Sequence, residues 1–125
     1  MTSKLDDFTT AYLECALWSS TDDATESGGC PLDDNYGIED ISEESIAGAI
    51  ADCSDFQEAN AANLSETDSS DEQNGHDFWL TRNGHGTGFW DRGYADGLGA
   101  RLTDAAHVYG SVYLYVGDDG KVYGS

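Results

Sequence analysis

Residues 5 to 81 of this 125-residue chain hold twenty aspartates and glutamates and not one lysine or arginine. A single-sign surface of this kind costs stability through self-repulsion, and something must offset that cost. Most of the acids come as neighbours: Asp6-Asp7, Asp22-Asp23, Asp33-Asp34, Glu39-Asp40, Glu43-Glu44 and Asp71-Glu72. Apolar residues are only 38 % of the chain, but fourteen aromatics are enough to build a core. Disordered chains are poor in aromatics, so a folded single domain is expected over 1–125.

The formal charge is −20. A compact domain of this length has a radius of gyration of roughly 14 Å and a diameter of about 35 Å. B-DNA carries about 20 phosphate charges in roughly 34 Å of axis. The chain thus holds about the charge of one DNA turn within one turn's length. No apolar run approaches membrane-spanning length, and "MTSKLDDF" has neither a basic nor an apolar leader region. Cys15, Cys30 and Cys53 are odd in number and widely spaced, which fits reduced thiols in a cytosolic protein.

Helical spacing of Leu5, Phe8, Tyr12, Leu13, Ala16 and Leu17 predicts an amphipathic helix over 3–18, with Ser3 as its N-cap. Residues 19–37, with the single proline and five acids, predict a loop. A second helix is predicted from the N-cap Ser42 to about Asn60, with Ile41 and Ile46 as a hydrophobic staple. Residues 63–75 read as a polar acidic loop. "HDFWLTR" and "TGFWDR" around "NGHG" predict a β-hairpin, with Phe78 or Trp79 facing aromatic or glycine partners across it. A third helix then ends at Gly110, and "SVYLYVGDDGKVYGS" predicts a hairpin turning at Asp119-Gly120. The expected class is α+β, in the order α-α-β-β-α-β-β, with helices packed on an antiparallel sheet. An acidic helical half (about 3–62) precedes a hairpin–helix–hairpin half (about 76–124).

Several chemistries lack their spacing. The cysteines with His76, His85 and His107 show no familiar zinc pattern, and "TDSSDEQNG", "LDDNYG" and "VGDDG" fail the EF-hand rule. Glycines 84, 86 and 88 lack a P-loop ending, and Cys30 has no nucleophile-elbow context. No metal or cofactor is expected. Arg82, Arg92 and Arg101 are expected to neutralise acids within the domain.

The strings "GHDFWLTRNGHGTGFWDRG", "AYLECALWSSTDD" and "VYLYVGDDGKVYGS" resemble a group of small acidic proteins encoded in bacteriophage and prophage genomes, over nearly the whole chain. The resemblance brings no catalytic residues, and implies a phage product working in the bacterial host cytoplasm. Other small, very acidic phage proteins include DNA mimics that block restriction enzymes or CRISPR effectors, which is an analogy.

Three readings stand. In the first, the chain is a non-enzymatic anti-CRISPR or antirestriction inhibitor that occupies the nucleic-acid groove of a basic host defence protein. Its contact residues are Asp22, Asp23, Asp33, Asp34, Glu39, Asp40, Glu43 and Glu44, and it binds neither nucleic acid nor membrane directly. In the second, it is a phage accessory protein whose acidity serves solubility and whose exposed tyrosines and tryptophans bind the partner. In the third, it is a small enzyme using His76, Asp77 and His85. Oligomeric state and target identity are open, and halophily fits the composition too.

Overall fold

The computed structural model describes residues 5–22, 30–34, 36–84, 88–89 and 97–124. Among these, five helices dominate: α1 (Asp7–Ser19), α2 (Glu43–Ala59), α3 (Ala61–Glu66), α4 (Asp71–Arg82) and α5 (Leu98–His107). Two small antiparallel pairs accompany them, β1 (Thr21–Asp22) with β2 (Cys30–Pro31) and β3 (Leu114–Val116) with β4 (Val122–Gly124). Single 3₁₀ turns span Leu32–Asp34 and Ile38–Asp40. The class is α+β, weighted heavily to helix.

α1 starts later than its sequence spacing predicts. Its cap is Asp6, whose Oδ1 accepts from the Thr9 N–H at 2.8 Å, while Ser3 lies outside the described residues. Phe8, Tyr12, Leu13, Cys15, Ala16 and Leu17 are buried along it. Its main partner is α4. The two backbones meet at Gly75, where a Cβ would sit 2.0 Å from the Phe8 carbonyl oxygen.

α4 overturns the first predicted hairpin. His76 to Arg82 continue a helix that begins at Asp71, and Ser70 caps it by accepting from the Gln73 N–H at 3.1 Å. Asn74, Gly75 and Asp77 to Arg82 are all buried, so this helix has no polar stripe to betray its period. Residues 88 and 89 fold back on it, with the Phe89 N–H donating to Thr81 Oγ1 at 3.2 Å. Residues 85–87 and 90–96, which include most of the predicted second strand, lie outside the described residues. Phe78 therefore stacks on Phe56 of α2, centroids 4.1 Å apart, and not on a cross-strand neighbour. The predicted acidic loop at 63–75 is also corrected, because α3 and the start of α4 occupy most of it. The predicted loop at 19–37 carries the β1–β2 pair.

α2 begins at Ser42 as predicted, with Ser42 Oγ accepting from the Ser45 N–H at 3.2 Å. Ile41 is buried and Ile46 packs partly against the core. Ala49, Cys53 and Phe56 form its inner stripe. α5 ends near Gly110, which takes φ 72°. The β3–β4 hairpin also follows its sequence pattern: Leu114 and Val122 face inward, while Tyr113 and Tyr115 are exposed. It is fastened to the start of α2 by Ser42 N–H to the Val122 carbonyl at 2.8 Å and Gly124 N–H to Ser45 Oγ at 2.9 Å. The core is an aromatic cluster in which Phe8, Tyr12, Phe56, Phe78, Phe89 and Tyr109 meet within about 6 Å of one another in successive pairs.

Candidate functional site

The predicted acids divide by placement. Glu39 and Asp40 lie on the 3₁₀ turn, and Glu43 and Glu44 form the first turn of α2, so four of the eight share one short segment. Asp40 is turned inward, its Oδ2 accepting from the Gly37 N–H at 2.8 Å. Glu39, Glu43 and Glu44 are exposed. Asp33 is exposed on the first 3₁₀ turn, while the backbone places Asp34 on that turn and Asp22 on β1. Asp23 lies outside the described residues.

The helix carries the acidic surface further than the pairs do. α2 contains Glu43, Glu44, Asp52, Asp55 and Glu58 and no basic residue. At 100° per residue, Glu44, Asp55 and Glu58 fall within about 60° of one another on the outer face. Small residues separate them: Ala47, Gly48, Ala51 and Ser54. At 1.5 Å per residue the five carboxylates span about 22 Å, over which one DNA strand presents about six phosphates. Among the described residues no lysine or arginine pairs with Glu43, Glu44, Asp55 or Glu58. Asp55 accepts a hydrogen bond from the Tyr109 hydroxyl.

Two of the described basic side chains, Arg82 and Arg101, are used elsewhere. Arg82 is buried, and its guanidinium donates to the carbonyls of Gly110 and Tyr109 at 2.8 Å each, to Tyr12 Oη at 3.0 Å and to Asp52 Oδ2 at 2.8 Å. It thereby ties α1, α2 and α4 to the turn after α5. Arg101 approaches Glu66 at 3.9 Å. Both observations agree with arginines spent on internal neutralisation, while Arg92 lies outside the described residues.

Beside the acidic face runs a groove of about 380 Å³ between α1, α2 and the β3–β4 hairpin. Tyr12, Leu13, Ala16 and Trp79 supply apolar lining, and Glu44 and Asp52 are the lining carboxylates. Tyr115 and Tyr123 form a second wall, their rings stacked at 5.8 Å and 21°. Tyr113 extends the stack, 6.4 Å from Tyr115. Hydrogen bonding to Asp119, then burial and nearby charges that include Glu44, raise the Tyr123 pKa. Gly48 lines the groove with open space where a Cβ would stand. Sequence reading missed this groove because its walls meet only through tertiary contacts.

Of the three residues in the enzyme reading, His76 and Asp77 are described. Asp77 is fully buried and accepts from Gln73 Nε2 at 3.0 Å. His76 Nδ1 stands 3.8 Å from the Asp77 carboxylate, beyond hydrogen-bond length, and its ring stacks on Trp18. His85 lies outside the described residues. Cys15 and Cys53 are enclosed, and burial pushes each thiol up to about 12. They are therefore protonated near neutral pH and poor nucleophiles. Among the described residues no group of three His, Cys, Asp or Glu side chains is placed to hold a metal. Nor is any helix there long and apolar enough to cross a membrane.

Comparison with protein-family models, with curated proteins and with solved structures finds no match to this chain.

Proposed function

We propose that this protein is a phage-encoded, non-enzymatic inhibitor acting in the bacterial cytoplasm, whose carboxylates stand in for DNA phosphates in the groove of a host defence protein. The observation that carries this reading is the base-free outer face of α2, where Glu43, Glu44, Asp55 and Glu58 follow one another along a rigid rod. A rigid helix holds its charges in register without the ordering cost that a flexible acidic loop incurs on binding. Complementary charge gives fast, steered association and a steep salt dependence. Exposed Glu39 lies on the 3₁₀ turn just before this helix, so α2 is taken as the centre of the contact and the acids before it as its margin. The partner is a basic nucleic-acid-binding protein such as a CRISPR effector or restriction enzyme.

The test is displacement of a fluorescent duplex from a panel of purified restriction enzymes and CRISPR effectors. The wild-type chain should release DNA from at least one, with affinity falling more than tenfold between about 50 and 200 mM salt. The triple variant E43Q/D55N/E58Q, checked for fold by circular dichroism, should lose at least tenfold. Undiminished displacement by that variant, or none across the panel, would overturn the reading. A second reading, a phage accessory protein binding through aromatics, is favoured by the exposure of Trp18 and Tyr113, at 47 % and 60 %. It predicts that W18A and Y113A abolish partner capture while the acidic triple variant does not.

A further inference from the structure

We infer that the groove between α2 and the β3–β4 hairpin is the seat of an arginine side chain from the partner protein. This deepens the reading of α2 as a phosphate mimic and rests on it, because a DNA-binding groove is lined with such side chains.

An arginine is an apolar stem with a planar cation at its tip, and it needs a site with both characters. The groove has both. Leu13, Ala16 and Trp79 offer the stem apolar contact, and Tyr115 and Tyr123 line the opposite wall. Glu44 and Asp52 line the same groove. Glu44 is exposed, and Asp52 keeps 39 % of its side chain open although one oxygen accepts from Arg82. A volume of about 380 Å³ lies at the small end of the range for ligand pockets and leaves ample room for an arginine side chain. Gly48 leaves the α2 wall without a side chain at the point where the incoming chain must pass. Planarity selects arginine over lysine, since forked donation to the Glu44 carboxylate needs a flat group.

The experiment uses the whole chain, labelled with ¹⁵N, titrated with N-acetyl-arginine N-methylamide. Amide shifts should saturate at Ser45, Gly48, Tyr115 and Gly124, with a Kd of about a few millimolar. The neutral citrulline derivative should bind at least tenfold more weakly, and the lysine derivative several-fold more weakly. Gly48→Leu fills the groove from a helix position with room for it, so it should keep the fold and abolish the shifts. Equal binding of arginine and citrulline derivatives, tighter binding of lysine, shifts that survive Gly48→Leu, or no shifts at all would each overturn the inference. In the displacement assay Gly48→Leu should also lose about tenfold. If Gly48→Leu displaces DNA normally while E43Q/D55N/E58Q does not, the groove inference fails and the mimic stands. If the reverse holds, the mimic face fails.

Discussion

Arg82 is a cation buried in an acidic protein, and replacing it with methionine asks how much of the fold depends on it. Methionine keeps much of the stem volume and removes four hydrogen bonds, to Tyr12, Asp52 and the carbonyls of Tyr109 and Gly110. Hydrogen bonds from a charged donor contribute about 1.5–3 kcal/mol each. Against that sum stands the desolvation of the guanidinium, several kcal/mol, which the variant no longer bears. The orphaned Asp52 is already 39 % exposed and rehydrates readily, so the loss belongs at the low end for a broken buried pair, about 3 kcal/mol. With about 2.1 cal/mol/K of unfolding entropy per residue, that loss lowers the Tm by about 11 °C. Asp52→Asn keeps an amide oxygen to accept from the guanidinium but leaves the buried cation without a countercharge, so it should cost about 1–2 kcal/mol, less than Arg82→Met. Thermal melts followed by circular dichroism, with urea titrations for the free energies, measure both. An Arg82→Met Tm within about 2 °C of wild type, or an Asp52→Asn loss as large as that of Arg82→Met, would refute the assignment of the energy to the buried carbonyl and hydroxyl contacts.

Gly75→Ala drives a methyl group into the Phe8 carbonyl and must part α1 from α4, so urea titration should show a loss of about 3 kcal/mol or more. Burial alone would raise the Asp6 pKa, but hydrogen bonds from Thr9 and Gln57 outweigh it and hold the carboxyl below 3.8. A depressed folded-state pKa contributes stability above the unfolded value and loses it as pH falls through the folded value. Asp6→Ala also removes the α1 N-cap and should cost about 1 kcal/mol at pH 7, and the gap in urea midpoints should close as pH falls below the usual carboxylate range. Cys15 and Cys53, held up to about 12 by burial, should resist iodoacetamide at pH 8 in the folded protein and react in urea, as mass spectrometry would show.

The elements visible in the sequence are those with one wet face. α2 shows its cap at Ser42, its staple and its inner stripe, and β3 alternates Leu114 against Tyr113 and Tyr115, so each displays its own period. α4 does not, because residues 77 to 82 are buried on every side. Its aromatic run fits a strand as well as a helix. Asn83-Gly84 compounds the ambiguity: Gly84 takes φ 75°, which a hairpin turn and a helix end both require. A signal did exist in Ser70 and Gln73, the spacing of a capping box, but it lay inside a run of polar residues that also suits a loop. The acidity of the site was legible from charge alone. Its shape was half legible: the helix predicted from Ser42 to Asn60 already sets Asp55 and Glu58 in phase with Glu44, but the groove needs elements distant in sequence.

The bond from Gly124 to Ser45 joins residues 79 apart in sequence. Closing a loop of that length costs about 4 kcal/mol of chain entropy from the length term alone. A short hairpin with one buried residue on each strand cannot meet that cost by itself, so it docks only onto a helical body already formed. The clasp that shapes the groove should therefore close last and open first, and core-truncating changes at Leu114 and Val122 should show φ-values near zero. A chain caught before the clasp closes already carries the repulsive and attractive field of α2, but has no pocket to hold what that field draws in.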